Sequence, residues 1–218
     1  MTPKSFLLNE QIHQYILEHS STVDDIRQRL AAETAELGPI SMMQIAPEQS
    51  LFTTLLTRAL GVRRAVEVGT FTGMSSLSIA LGMPADGRLL CCDVSEEWTA
   101  VAKRYWAEAG VANRIELRIG PAADTLKALP PDPVFDLAFI DADKTGYITY
   151  WEEIVPRMRP GGVLLIDNVL QMGRIVDPAA DGESIVAMRT FNIHAASDSR
   201  VELVMLPIGD GLTMARRL

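Results

Sequence analysis

The sequence predicts an α/β fold built on a mostly parallel sheet. Between residues 64 and 166, five short apolar runs alternate with segments of helical patterning. Strands that alternate with helices form a parallel sheet covered on both faces. The last two apolar runs flank a short turn, which predicts an antiparallel hairpin at the C-terminal end. A chain of 218 residues is long enough for one domain with a sizeable core.

Helices are predicted before the first strand. Apolar residues recur at helical spacing over Leu8–Ile16 and again over Val23–Leu30. Ser21 or Thr22 is expected to cap the second helix. Pro47 occupies a favourable first-turn position and is expected to start a third helix.

The alternation then runs as far as residue 166. Ser95, followed by two glutamates, predicts a helix start, and Gly110 predicts its end. The predicted strands are 64–68, 88–92, 114–119, 135–140 and 162–166, and the helices that separate them are 73–82, 95–109, 121–129 and 146–158.

The C-terminal region breaks this pattern. RVELVML and GLTMARR flank PIGDG, so we expect a hairpin that places one antiparallel strand at the edge of the sheet. The segment 169–183 is rich in Gly, Pro and Asp and is the predicted mobile loop.

Composition excludes several classes of protein. The formal charge of −8 argues against a nucleic-acid binder, and no apolar stretch approaches the roughly 18 residues that a membrane span needs. The N-terminus lacks a secretion signal, and the adjacent Cys91 and Cys92 are expected to be buried and unpaired. We therefore predict a cytoplasmic protein that binds neither membranes nor nucleic acids.

The first strand ends in a glycine motif, VEVGTFTGMSS. Gly69 and Gly73 allow a close approach to a ligand, but their G-x-x-x-G spacing differs from the dinucleotide fingerprint. Glu67 would repel phosphates and suits a ligand with an ammonium group. Asp93, at the end of the second strand, is placed to accept ribose hydroxyls, and the backbone of Ala122 could meet an adenine edge. This set favours S-adenosylmethionine over NAD, although Asp93 could instead cap a helix.

Acidic residues follow the fourth and fifth strands. Asp141 ends one strand, and Asp167 with Asn168 ends the next, so these oxygens are expected to meet at one edge of the sheet. Two carboxylates and an amide oxygen suit Mg²⁺, Mn²⁺ or Ca²⁺. A divalent cation lowers the pKa of a bound phenol, and Lys144 could then accept the proton as general base. Taken singly, these residues could be loop acids, a turn and a solvated lysine.

Together these motifs resemble the cation-dependent O-methyltransferases of the caffeoyl-CoA and catechol type. The resemblance rests on MMQIAPEQ, VEVGTFTGMSS, CCDVS, GPA, FIDADKTGY, LLIDNVL and LPIGDGLTMARR. It implies a Rossmann-like class I methyltransferase fold with a seven-stranded sheet, usually in a homodimer. In one domain, 1–218, residues 1–45 would form N-terminal helices over the active site.

The resemblance also implies roles for individual residues. The implied metal ligands are Asp141, Asp167 and Asn168, with Lys144 as the base. The implied cofactor residues are Met43, Ile45, Glu67, Gly69, Thr70, Ser75, Asp93, Val94, Ala122 and Asp143. Plant members often carry a hydroxyl residue at the position of Ile45 and tend to carry a tryptophan at that of Gln171, in a substrate-facing loop. Ile45 could make the corresponding contact only through its backbone. The departure at Gln171 favours a smaller catechol, or a catechol in a bacterial-style secondary metabolite, over a phenylpropanoid-CoA ester.

The sequence therefore predicts methyl transfer from S-adenosylmethionine to one hydroxyl of a vicinal aromatic diol. The alternatives are an NAD-dependent dehydrogenase, a non-catalytic protein that binds the cofactor, and an aminopropyl transferase on the same fold. The glycine spacing and Glu67 disfavour the dehydrogenase.

Overall fold

Seven strands form a single sheet in the order β3-β2-β1-β4-β5-β7-β6 in the computed structural model, which describes residues 8–218. All five predicted strands of the alternating region are present, and β5 begins four residues earlier than predicted. The strands are β1 Arg64–Val68, β2 Arg88–Asp93, β3 Ile115–Ile119, β4 Phe135–Ile140, β5 Met158–Ile166, β6 Val201–Leu206 and β7 Leu212–Arg217.

The predicted hairpin is confirmed, but the expected position of its antiparallel strand is wrong. β7 runs antiparallel to β5 and lies inside the sheet, while β6 pairs with β7 and forms the edge. The burial pattern gives the physical reason, since Leu212, Thr213 and Ala215 of β7 are buried, whereas Val204 and Met205 of β6 are exposed. The inner strand of the hairpin is thus the one whose side chains face the core.

Helices cover both faces of the sheet, as the alternation predicted. Helices α2 to α5 pack on one face, in a cluster that includes Leu30, Leu77 and Trp106. Helices α6 to α8 pack on the other, around Trp151 and Phe191. The helices are α1 Glu10–Glu18, α2 Asp25–Ala35, α3 Pro47–Ala59, α4 Met74–Gly82, α5 Glu96–Glu108, α6 Ala122–Lys127, α7 Tyr147–Ile154 and α8 Glu183–Ala196.

The helix starts follow local chemistry. Pro47 begins α3 and Ser95 caps α5, both as predicted. Helix α2 is capped by Asp24, whose carboxylate accepts a hydrogen bond from the backbone N–H of Arg27, and not by Ser21 or Thr22. Cys91 and Cys92 are buried and free, as expected.

The sequence interpretation missed α8 and a 3-10 helix at Gly38–Met43. The predicted loop 169–183 contains a 3-10 turn at Gln171–Val176. The guanidinium of Arg189 in α8 donates to the carbonyl oxygens of Arg174, Ile175, Asp177 and Ala180, which ties this loop to the helix. Over residues 8–218 no helix is long and apolar enough to cross a bilayer.

Candidate active site

A cleft of about 1870 Å³ opens at the carboxyl ends of β1 to β5. Ligand pockets usually occupy roughly 300–1000 Å³, so this cleft has room for two small molecules side by side. Glu10, His13 and Ile16 of α1 contribute to its wall. Every predicted site residue except Glu67 lines it: Met43, Ile45, Gly69, Thr70, Ser75, Asp93, Val94, Ala122, Asp141, Asp143, Lys144, Asp167 and Asn168.

The glycine loop after β1 is shaped by protein packing. Gly69 has a φ of +89°, and a Cβ atom there would lie 1.7 Å from the carbonyl oxygen of Asp141. A Cβ at Gly73 would lie 2.5 Å from the Cβ of Ala102 on α5. The sequence analysis explained both glycines by the close approach of a ligand. The structure shows a second reason, because a side chain at either position would clash with a neighbouring segment of the chain.

Asp93 organises the same loop. One carboxylate oxygen accepts backbone N–H groups from Thr70 and Phe71, each at 2.8 Å, and the other accepts the N–H of Ser95 at 2.8 Å. Phe71 has a φ of +51°, which is uncommon for a residue other than glycine. Because Ser95 caps α5 through its own hydroxyl, Asp93 is free of that task and holds the loop against the end of β2.

Glu67 lies behind the wall of the cleft and is fully buried. Its Oε2 accepts a hydrogen bond from the Thr70 hydroxyl at 2.9 Å, and its Oε1 has no partner. Burial raises the pKa of Glu67 to about 7, and the nearby Ser75 and Thr70 hydroxyls and the Cys91 thiol oppose that rise. A buried carboxyl with one unpaired oxygen is a natural acceptor for a donor group that enters from the cleft.

The ends of β4 and β5 meet as the sequence predicted. Ile140 and Ile166 are paired in register, so the residues that follow, Asp141 and Asp167, stand side by side. The Lys144 ammonium donates to Asp141 Oδ1 at 2.9 Å and to Asn168 Oδ1 at 2.7 Å. Two of the three predicted cation ligands therefore already converge on one positive charge.

Asp167 is held differently. It is 3% exposed, its Oδ1 accepts the backbone N–H of Asn168 at 2.7 Å, and its Oδ2 accepts the side-chain amide of Gln49 at 2.8 Å. Burial raises the pKa of Asp167, and the neighbouring Asp141 carboxylate raises it further. The surroundings of Asp167 therefore disfavour its ionised form unless a cation lies beside it.

These residues suit a hard divalent cation by their chemistry. Residues 8–218 contain no group of three or more His, Cys, Asp or Glu side chains placed to hold a metal ion. The predicted set contains only two such acids, Asp141 and Asp167, and its third member is the amide oxygen of Asn168. Carboxylate and amide oxygens are the donors that Mg²⁺ and Ca²⁺ take, so the donor set fits such an ion.

Three residues that line the cleft were given no role from the sequence. Gln49 lies in the quoted motif MMQIAPEQ, where it received no role. Asp210 was interpreted only as part of a turn, yet it lines the cleft, and Lys144 is close enough to lower its pKa against the larger effect of burial. The predicted substrate-facing position, Gln171, is buried and donates to the Asn168 carbonyl, so the next residue, Met172, lines the cleft in its place.

Comparisons with known proteins show the family of this chain. A family model described as O-methyltransferase matches residues 17–218. "Probable caffeoyl-CoA O-methyltransferase 1" of Dictyostelium discoideum is 42% identical over 214 residues, which cover 96% of this chain and 93% of that protein. "Caffeoyl-CoA O-methyltransferase 2" of Zea mays is 34% identical, with 99% of this chain and 86% of that protein covered.

Solved structures give the same result. The O-methyltransferase TomG of Streptomyces achromogenes, described in complex with SAM, has a TM-score of 0.86 at 29% identity, with 95% of this chain and 96% of that chain covered. A Bacillus cereus O-methyltransferase, described in complex with SAH, has a TM-score of 0.85 at 28% identity over 95% and 97% of the two chains. The match favours methyl transfer over the dehydrogenase and aminopropyl-transferase alternatives. The chain belongs to the O-methyltransferase family that includes the caffeoyl-CoA enzymes, and its fold is that of a class I methyltransferase.

Proposed function

We propose that this protein transfers a methyl group from S-adenosylmethionine to one hydroxyl of a vicinal aromatic diol, with a divalent cation bound beside the acceptor. The observation that carries the proposal is the meeting of Asp141 and Asn168 on the Lys144 amine, next to the glycine loop of the same cleft. Both reactants would then lie at neighbouring strand ends, where a class I fold binds its ligands.

The donor half of the cleft would hold S-adenosylmethionine. Two related O-methyltransferases are described in complex with SAM or SAH, which supports the same cofactor here. Glu67 would accept the ammonium of the methionine part and Asp93 the ribose hydroxyls. Val94 is 72% exposed within the cleft and Trp98 lies nearby on its wall, so both offer apolar surface to the adenine. The other proposed contacts are Met43, Ile45, Gly69, Thr70, Ser75, Ala122 and Asp143.

The acceptor half would hold the cation through Asp141, Asp167 and Asn168. When bound, such an ion supplies a positive charge that stabilises the ionised form of a phenol. The donor set does not choose among Mg²⁺, Mn²⁺ and Ca²⁺, because all three accept carboxylate and amide oxygens; Mg²⁺ is our first choice.

Lys144 would accept the proton of the reacting hydroxyl on Nζ, acting in its uncharged form. The phenol oxygen then forms a bond with the methyl carbon, and the carbon–sulfur bond breaks with its electron pair left on sulfur. The hydrogen bonds that the Lys144 ammonium donates to Asp141, Asn168 and the Tyr147 hydroxyl hold its nitrogen at this position. Loss of one of these three protons would leave the uncharged amine with two N–H donors and the lone pair that accepts the proton. The main contribution of the protein is to hold the two reactants in line.

The charge of the cleft favours a small catechol over a CoA ester. Among the described residues that line it, Glu10, Glu48 and Asp210 are acidic, Lys144 is the only lysine, and arginine is absent. Repulsion between these acids and the phosphates of a CoA ester would weaken binding. We therefore propose a neutral or cationic catechol as the acceptor.

A labelled methyl donor tests the proposal directly. We expect Mg²⁺-dependent labelling of catechol and of an amine-bearing catechol, weaker labelling of a catechol carboxylate, and the weakest labelling of caffeoyl-CoA. Turnover that survived thorough chelation with EDTA would overturn the role of the cation. A preference for caffeoyl-CoA would overturn the proposed acceptor class and leave the methyl transfer standing.

A further inference from the structure

Gln49 joins the start of α3 to the end of β5. It is the third residue of α3 and is 1% exposed, and its Nε2 donates to Asp167 Oδ2 at 2.8 Å across 118 positions of sequence. Asp167 is itself 3% exposed. A hydrogen bond between two buried side chains that are so far apart in the chain fixes both groups relative to each other.

The bond supports Asp167 without neutralising it. The amide of Gln49 is uncharged, so it satisfies one lone pair of Oδ2 and leaves the negative charge of the carboxylate in place. The backbone N–H of Asn168 does the same for Oδ1 at 2.7 Å. Each oxygen keeps a further lone pair, which is available to a cation.

The opposite end of the Gln49 amide is also constrained. Its Oε1 faces Gly209 in the turn between β6 and β7, where a Cβ atom would lie 2.6 Å away. If the amide were turned over, Oε1 would face the carboxylate oxygen of Asp167 and repel it. This repulsion keeps the Nε2 donor of Gln49 directed at Asp167 and leaves Oε1 against the turn.

We propose that Gln49 is a positioning residue for the divalent cation, which it serves by holding Asp167 in the orientation that binds the ion. This inference rests on the proposed function, since it requires the cation site. Carboxylates that bind metals are usually hydrogen-bonded in turn, and removal of such a partner typically costs 10- to 100-fold in metal affinity.

The test compares Gln49→Met with wild type by calorimetric titration of Mn²⁺ in the presence of S-adenosylhomocysteine. Methionine has a similar length but no hydrogen-bond donor, so we expect Mn²⁺ to bind about 10- to 100-fold more weakly. We expect S-adenosylhomocysteine to bind within about twofold of wild type, which also reports that the variant is folded. The Mg²⁺ concentration for half-maximal rate should rise by the same factor as the Mn²⁺ dissociation constant, with kcat recovered at saturation.

Thr53→Val is the matched control. Thr53 lies one turn further along α3, is fully buried and makes no hydrogen bond through its hydroxyl, so this variant changes the same helix without touching Asp167. Its Mn²⁺ affinity should equal that of wild type. Mn²⁺ binding by Gln49→Met within threefold of wild type would overturn the role of Gln49 alone. If wild-type protein bound no Mn²⁺, the cation site of the proposed function would fall, and the inference with it.

Discussion

The donor and acceptor halves of the cleft compensate their negative charge in different ways. In the donor half, Asp93 accepts three backbone N–H groups from the chain around it. In the acceptor half, Asp141 and Asp167 stand side by side, and the two share one lysine and one glutamine as side-chain donors. Burial and the adjacent carboxylate raise the pKa of Asp167.

This difference shows how each half is prepared for its ligand. A single carboxylate can be satisfied by the backbone and still offer lone pairs to uncharged hydroxyl groups. Two adjacent carboxylates need a positive partner, and Lys144 contacts Asp141 but is not bonded to Asp167. In the proposed function, a divalent cation would be the positive partner of both carboxylates.

The largest expected effect comes from breaking the acceptor half. Asp141→Ala and Asp167→Ala should each lower kcat by on the order of 10³-fold, because stabilisation by a metal ion is worth several kcal/mol. S-adenosylhomocysteine affinity, measured by calorimetry, should stay within about twofold of wild type. Asp132→Ala, outside the cleft, is the matched control. Equal losses of cofactor affinity and turnover would contradict the separation of the two halves.

Replacement of the predicted base, Lys144, should slow the reaction without preventing ligand binding in either half of the cleft. Lys144→Met is expected to lower kcat by about 10²- to 10³-fold, within the range for a general base, while Mn²⁺ and S-adenosylhomocysteine still bind. Lys144→Arg keeps the positive charge, but a guanidinium cannot accept the proton, so it should not restore the rate. A rate for Lys144→Arg close to wild type would show that the position needs only a charge.

Two glycine variants separate the effect of backbone strain from the effect of a steric clash. Gly69→Ala introduces both a strained φ of +89° and a Cβ atom 1.7 Å from the Asp141 carbonyl oxygen. Gly110→Ala introduces a similar φ strain at +69°, with no atom within 4 Å of the new Cβ. Urea denaturation should show a loss of about 1–2 kcal/mol for Gly110→Ala and more than about 3 kcal/mol for Gly69→Ala. Equal losses would mean that strand β4 shifts to admit the methyl group.

The strand ends were predictable because the fourth and fifth strands are neighbours in a doubly wound sheet. Asp141 and Asp167 come directly after apolar runs, and neighbouring parallel strands bring such residues to one edge. Gln49 could not be predicted in the same way, since its contact with Asp167 depends on how α3 lies over that edge. The clash at Gly69 likewise depends on a carbonyl that lies 72 positions further along the chain.

The missed helix has a physical explanation. In α8 the buried residues Ile185, Met188 and Phe191 follow helical spacing, but Val186 and Ile193 on the same helix are exposed. Exposed apolar residues weaken the amphipathic pattern by which a helix is recognised in a sequence. The hairpin strands were misplaced for a related reason, because the edge strand β6 is at least as apolar in sequence as the inner strand β7.

The smallest expected effect concerns Glu67 and the pH dependence of stability. Burial raises its pKa from an ordinary 4.5 to about 7, so the fold favours the protonated carboxyl. Its contribution to stability is fully present below about pH 4.5 and is lost as the pH rises through about 7. Urea denaturation of wild type and Glu67→Gln from pH 4.5 to 8 should therefore diverge, with wild type losing about 3 kcal/mol relative to the variant, which does not titrate. If the unfolding free energies of the two proteins changed in parallel with pH, Glu67 would be ionised throughout this range. The donor half would then contain a buried negative charge, although Oε1 has no hydrogen-bond partner.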